Sequence, residues 1–185
     1  MINVNDLKPG LTIEFDNNIY IVIDAQHSKT GRAQSHVKTK IKNLRNNAII
    51  TFTFTGGQKV KKAIIDKKEM QYLYSEKDEV FFMDNETYEQ MSLSTNKIKW
   101  EQKFLKEGLN VTIQIFDGEL LNIVLPEKIS LKITECEEAI KGDTTSTALK
   151  KAILETGLEV MVPLFITNGE NILVSTSDGK YSKRG

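Results

Sequence analysis

Six cationic side chains crowd the segment from Gln26 to Arg45: Lys29, Arg32, Lys38, Lys40, Lys42 and Arg45. No acid lies among them, although the whole chain balances 25 basic against 25 acidic residues. Lysine and arginine at this density bind anions through Coulomb attraction and counterion release, so RNA or DNA is the leading partner class. Lys38, Lys40 and Lys42 alternate with Val37, Thr39 and Ile41, a spacing that puts the lysines on one face of a strand. Lys29-Thr30-Gly31-Arg32-Ala33 reads as a hairpin tip, with Gly31 permitting the turn and a close backbone approach. The bland reading is an ordinary solvated strand face.

No other constellation competes with this one. There is no Walker loop, dinucleotide fingerprint or nucleophile elbow, so no enzyme activity and no cofactor are expected. His27 and His36 flank the tip without a carboxylate or cysteine at ligand spacing, which favours packing or base stacking over a metal. Cys136 is the single cysteine; it reads as structural and leaves no internal disulfide. Trp100 reads as a packing residue. The N-terminus lacks a basic and apolar leader pattern, and no apolar run reaches the length that spans a bilayer. A cytoplasmic protein without membrane contact is therefore expected.

The elements that position the basic run are strands. Period-two stretches rich in Val, Ile, Thr and Phe recur as LTIEF, IYIVID, HVKTKIKNL, AIITFTFT, VFFM, NVTIQIF, ISLKIT, EVMVPLFI and ILVST. Turn residues such as Asp16-Asn17-Asn18, Gly56-Gly57 and Asp117-Gly118 separate them. Short strands at this spacing predict an all-β protein of small barrels. Two short helices are expected, at Asn96 to Glu107 and at Leu149 to Leu154. Charge divides the chain near residue 63, and a proline ends a strand near 126. Residues 1–63 carry 10 basic and 4 acidic residues, 64–126 carry 7 and 12, and 127–185 carry 8 and 9. Three domains with those boundaries follow, the first basic and the second acidic.

Three segments then resemble the bacterial elongation factor P family. They are the hairpin HSKTGRAQSHVKTKIKNLRNNAI, the stretch MQYLYSEKDEVFFMDNETYEQ, and KKAILETGLEVMVPLFITNG. The last keeps the family's spacing on Lys150, Ala152, Gly157, Val160, Val162, Pro163, Ile166 and Gly169. The resemblance covers essentially the whole chain. It implies an SH3-like (KOW-like) domain followed by two OB-fold domains. It also implies a translation factor, not an enzyme, that binds the ribosome between the peptidyl and exit sites. Such factors contact peptidyl-tRNA and relieve stalling at consecutive prolines.

Carried over by residue, the resemblance puts Arg32 at the tRNA acceptor end near the peptidyl-transferase centre, with Lys29, Thr30, Gly31 and Ala33 around it. Lys38, Lys40, Lys42 and Arg45 become RNA-backbone contacts. Gly142, Asp143 and Thr144 match a loop facing the exit-site codon, and Tyr181 and Arg184 match C-terminal contacts to RNA. The implied partners are the ribosome (ribosomal RNA and proteins), peptidyl-tRNA and mRNA at the exit site, met as a monomer. Many members carry a modified lysine at the tip and some a rhamnosylated arginine. Here Thr30 and Ala33 replace the usual proline and glycine, and whether Arg32 is modified or bare stays open. An elongation factor P-like paralogue and a generic OB/KOW nucleic-acid-binding module are the alternatives.

Overall fold

The computed structural model describes residues 1–28, 35–138 and 148–185. Its strands form three antiparallel sheets. The first has six strands in the order β1-β6-β2-β3-β4-β5, built from Ile2–Asn3, Lys59–Lys62, Thr12–Phe15, Asn18–Ser28, His36–Asn43 and Ile49–Thr55 respectively. The second has five, β11-β10-β7-β8-β9: Glu119–Val124, Asn110–Phe116, Asp66–Glu76, Glu79–Asp84 and Gln90–Ser94. The third is β14-β13-β12-β15-β16: Glu159–Pro163, Leu149–Leu154, Lys128–Cys136, Asn171–Ser175 and Tyr181–Arg184.

By packing, the chain divides into two compact units. One joins Met1–Lys68 with Ile113–Asn122; the other joins Glu69–Thr112 with Ile123–Gly185. In the first unit the inward residues of β2 to β5 meet a trio of rings. Phe15, Phe52 and Phe54 lie with centroids 4.6 to 5.1 Å apart, tilted or edge-on, as aromatic quadrupoles prefer. A smaller cluster of Ile19, Leu44, Ala63 and Leu121 completes this unit. In the second unit Leu131, Ile133, Val162, Ile166, Ile172 and Val174 form a core that also takes in Phe104.

One device recurs in all three sheets. A long strand carries one extra residue, which resets the phase of its alternation. In β3 the register passes from Val22↔Ile41 to Asp24↔Lys40, leaving Ile23 unpaired. Val22 therefore faces the core and Asp24 faces out, although two positions apart they should share a face. In β7 the register passes from Tyr72↔Phe82 to Tyr74↔Phe81 around Leu73. In β12 it passes from Ile133↔Leu154 to Glu135↔Ile153 around Thr134.

Neither expected helix forms. Asn96 to Glu107 holds two single 3-10 turns, Thr95–Lys97 and Glu101–Phe104. The residues it buries are Ile98, Phe104 and Leu105. Six residues at about 100° each would turn Phe104 some 120° away from Ile98 on a continuous α-helix, so separate turns bury both better. Leu149 to Leu154 is strand β13, with Lys150, Ala152 and Leu154 inward. The lysine at an inward position hid the period of two. Among the described residues no helix is long and apolar enough to cross a membrane.

Candidate nucleic-acid interface

The basic rail is the outward face of the β3–β4 hairpin. Burial along β4 alternates strictly: Val37, Thr39, Ile41 and Asn43 are buried, Lys38 and Lys40 exposed, and Lys42 half-buried. The inward threonine is held by its hydroxyl, which donates to Phe52 O at 2.9 Å. That bond removes the cost of burying a polar group at the centre of the strand. Register brings neighbours to each lysine. Lys38 lies between Gln26 and Thr53, Lys40 between Asp24 and Thr51, and Lys42 between Ile21 and Ile49. The rail thus includes one acid, Asp24, whose carboxylate accepts a hydrogen bond from Gln26 at 3.1 Å. Thr51 and Thr53 are hydroxyl donors beside the ammonium groups. Sequence spacing does not point to them, because only strand register brings them there.

Arg45 behaves differently from the three lysines. Its Nε and Nη2 donate to the Glu119 carboxylate at 3.0 to 3.2 Å. Nη1 donates to the Asn17 carbonyl at 2.8 Å. The Arg45 backbone N–H donates to Asn43 Oδ1, also at 2.8 Å. Most of the guanidinium fork is therefore occupied within the first unit. Glu119 lies 74 positions away in the chain, and no local signal announces it.

His27 pairs with Val37, and His36 with Ser28, so the two imidazoles turn to opposite faces of the hairpin. Among the described residues no group of three or more His, Cys, Asp or Glu stands close enough to hold a metal. Lys29, Thr30, Gly31, Arg32 and Ala33 lie outside the described residues, as do Gly142, Asp143 and Thr144.

Near the C-terminus, β16 pairs with β15 through Val174↔Tyr181 and Ile172↔Arg184. Tyr181 is half-buried against the core of the second unit. Arg184 Nε lies 2.7 Å from Glu170, with the arginine side chain 64% exposed. The Glu170 carboxyl is held below its ordinary value, first by the Thr167 hydroxyl and then by the Thr167 backbone N–H and Arg184, against an opposing desolvation. Trp100 donates its indole N–H to the Thr176 carbonyl at 2.8 Å and meets Phe104 edge-on. Cys136 is half-buried, its thiol 3.7 Å from the Ile166 carbonyl.

A solved structure titled eukaryotic translation initiation factor 5A, from Methanococcus jannaschii, matches with a TM-score of 0.55 at 24% identity. The match spans 66% of this chain and 92% of that one. A translation initiation factor 5A family protein from Naegleria fowleri matches with a TM-score of 0.52 at 14% identity, over 67% of this chain and 96% of that one. The fold thus defines a class, the tandem KOW-like and OB barrels. Family descriptions narrow it: the elongation factor P KOW-like domain matches residues 3–60, its OB domain 65–123, and its C-terminal domain 129–184. A protein named elongation factor P from Mesomycoplasma hyopneumoniae strain 7448 is 54% identical over 185 residues, the full length of both chains. One of the same name from Mesoplasma florum is 51% identical over 182 residues, 98% of each. The chain belongs to the elongation factor P family of translation factors.

Proposed function

We propose that this protein binds the ribosome beside peptidyl-tRNA, between the peptidyl and exit sites, and promotes peptide-bond formation where consecutive prolines stall it. The observation that carries the reading is the outward lysine face of β4, on a hairpin whose strands lead to the segment containing Arg32. A paired ladder resists bending, so such an arm delivers its tip with little orientational freedom. Chemistry at the ribosomal RNA centre then gains from positioning the reacting ends, an entropic contribution that needs no nucleophile from the factor. In this reading Lys38, Lys40 and Lys42 meet the RNA backbone. Arg45 instead holds the base of the arm through Glu119. Gly142, Asp143 and Thr144 face the exit-site codon, and Tyr181 and Arg184 meet RNA. The protein works in the cytoplasm as a monomer, its partners being ribosomal RNA and proteins, peptidyl-tRNA and mRNA.

Reconstituted translation of a triple-proline reporter tests this. Wild-type protein should restore full-length product, and Arg32→Ala should lose most of that gain while a proline-free reporter is unaffected. Undiminished rescue by Arg32→Ala would sink the reading. Intact mass of the native protein decides separately whether Arg32 carries a modification.

A further inference from the structure

We propose that the outward face of the second sheet docks an arginine- or lysine-bearing segment of a partner protein. The face is defined by register. The pairs Tyr74↔Phe81 and Glu76↔Glu79 lie on the side of the sheet opposite the buried Val80 and Phe82. The bulge at Leu73 puts Tyr74 there; without it Tyr74 would follow Tyr72 to the side of Phe82.

Two features of this face favour a cation-bearing occupant. Tyr74 is 47% exposed, and its ring stacks on Phe81 with centroids 4.7 Å apart and planes inclined by 22°. Phe81 is half-buried, and the uncovered part of the Tyr74 ring presents the negative π-surface that attracts cations, guanidinium above all. One step along the same face, Glu76 and Glu79 are cross-strand partners. Like charges in that position destabilise a sheet. One of them is partly held, since Ser92 donates to Glu79 at 3.1 Å. The nearest cation in sequence, Lys77, lies in the connecting turn next to Asp78.

A guanidinium lying on the Tyr74 ring would reach carboxylates about 7 Å further along the strand through its neighbouring residue or its own fork. It would cover the ring and remove the repulsion between Glu76 and Glu79. Nucleic acid fits poorly, because its phosphates would approach two carboxylates. The charge complement is a basic polypeptide. The proposal is independent of ribosome binding, since its test needs no ribosome.

The probe is a short capped peptide alternating arginine and threonine, titrated into the full chain while the Tyr74 and Phe81 ring resonances are followed. A citrulline-for-arginine peptide is the control. The arginine peptide should shift both rings saturably and the citrulline peptide should not. Tyr74→Ala should weaken binding about fivefold. Glu76→Gln with Glu79→Gln should weaken it about tenfold and at the same time raise the melting temperature, because repulsion is relieved. A residue that merely braces the sheet would not move those two readouts in opposite directions. Unmoved rings, equal binding of the citrulline peptide, or unchanged affinity of the double variant would overturn the proposal. So would tighter binding of oligouridylate at the same rings, or ring shifts that follow protein concentration alone and so report a second copy as the occupant.

Discussion

Neutralising Lys38 and Lys40 should change the salt dependence of ribosome binding and leave folding untouched, whereas neutralising Arg45 should do the reverse. The two lysines are exposed and carry no ion pair among the described residues. Lys38→Gln with Lys40→Gln should therefore alter unfolding by no more than about 0.5 kcal/mol. Each lysine at a phosphate contributes about 0.7 to 0.9 to the slope of log affinity against log salt, so the double variant should lose about 1.4 to 1.8 of it. Between about 50 and 200 mM KCl that closes the gap to wild type roughly tenfold. Arg45 is in another situation. Its pair with Glu119 is bidentate, but the side chains are 34% and 39% exposed, so screening limits the pair to about 0.5 to 1 kcal/mol. The bond from Nη1 to Asn17 adds about 1 kcal/mol. Arg45→Gln should then cost about 1 to 2 kcal/mol, and Glu119→Gln less. A double-mutant cycle should return a coupling of about 0.5 to 1 kcal/mol. Amide exchange at Leu44, whose N–H donates to the Ile19 carbonyl in the same unit, reports that cost locally. If Arg45→Gln instead lowered the salt slope by as much as one lysine and left exchange at Leu44 unchanged, its guanidinium would be at phosphate and the division of roles would be wrong.

Phe54 is fully buried among Phe15 and Phe52, and Phe54→Ala should cost about 3 to 5 kcal/mol, seen as early melting of the first unit. The lowered Glu170 carboxyl stabilises the fold above its ordinary value near 4.5, and the gain is lost as pH falls through the lower, folded value. Glu170→Gln should therefore melt below wild type at neutral pH and converge with it in acid; a constant gap across that range would show that titration of Glu170 is not the cause. Deleting Ile23 would join Val22 and Asp24 in a regular ladder, keeping every face while removing the local bend. The variant should fold with wild-type circular dichroism yet fail on the triple-proline reporter, and full activity would show that the bend does not aim the arm.

How far the sequence reveals this molecule depends on whether polarity and register keep the same phase. They do in β4, where HVKTKIKN alternates and the structure follows it residue by residue. In β13 they part because Lys150 occupies an inward position and masks the alternation. The opening of β7, Asp-Lys-Lys-Glu, is charged and exposed throughout, so its strand character comes from pairing and not from pattern. Long-range partners are the other blind spot. A count of charge finds the basic N-terminal third at once, yet it cannot separate Arg45 from Lys38, because Glu119 comes from another part of the chain.

The bulges in β3 and β7 sit where an outward face changes character. Read by parity alone, Asp24 belongs with Val22 in the core, and Tyr74 belongs with Tyr72. One unpaired residue sends Asp24 out beside Lys40 and Tyr74 out onto Phe81. A buried unpaired aspartate would be strongly destabilising, so at β3 the outward phase of Asp24 opposite Lys40 is needed for folding, and the bend that comes with the extra residue serves aim. No such penalty forces Tyr74 outward, since a tyrosine is as readily held against a core as exposed. The bulge in β7 therefore leaves about half of the Tyr74 ring in water, stacked on the half-buried Phe81. That asymmetry leaves the ring available to a cationic partner.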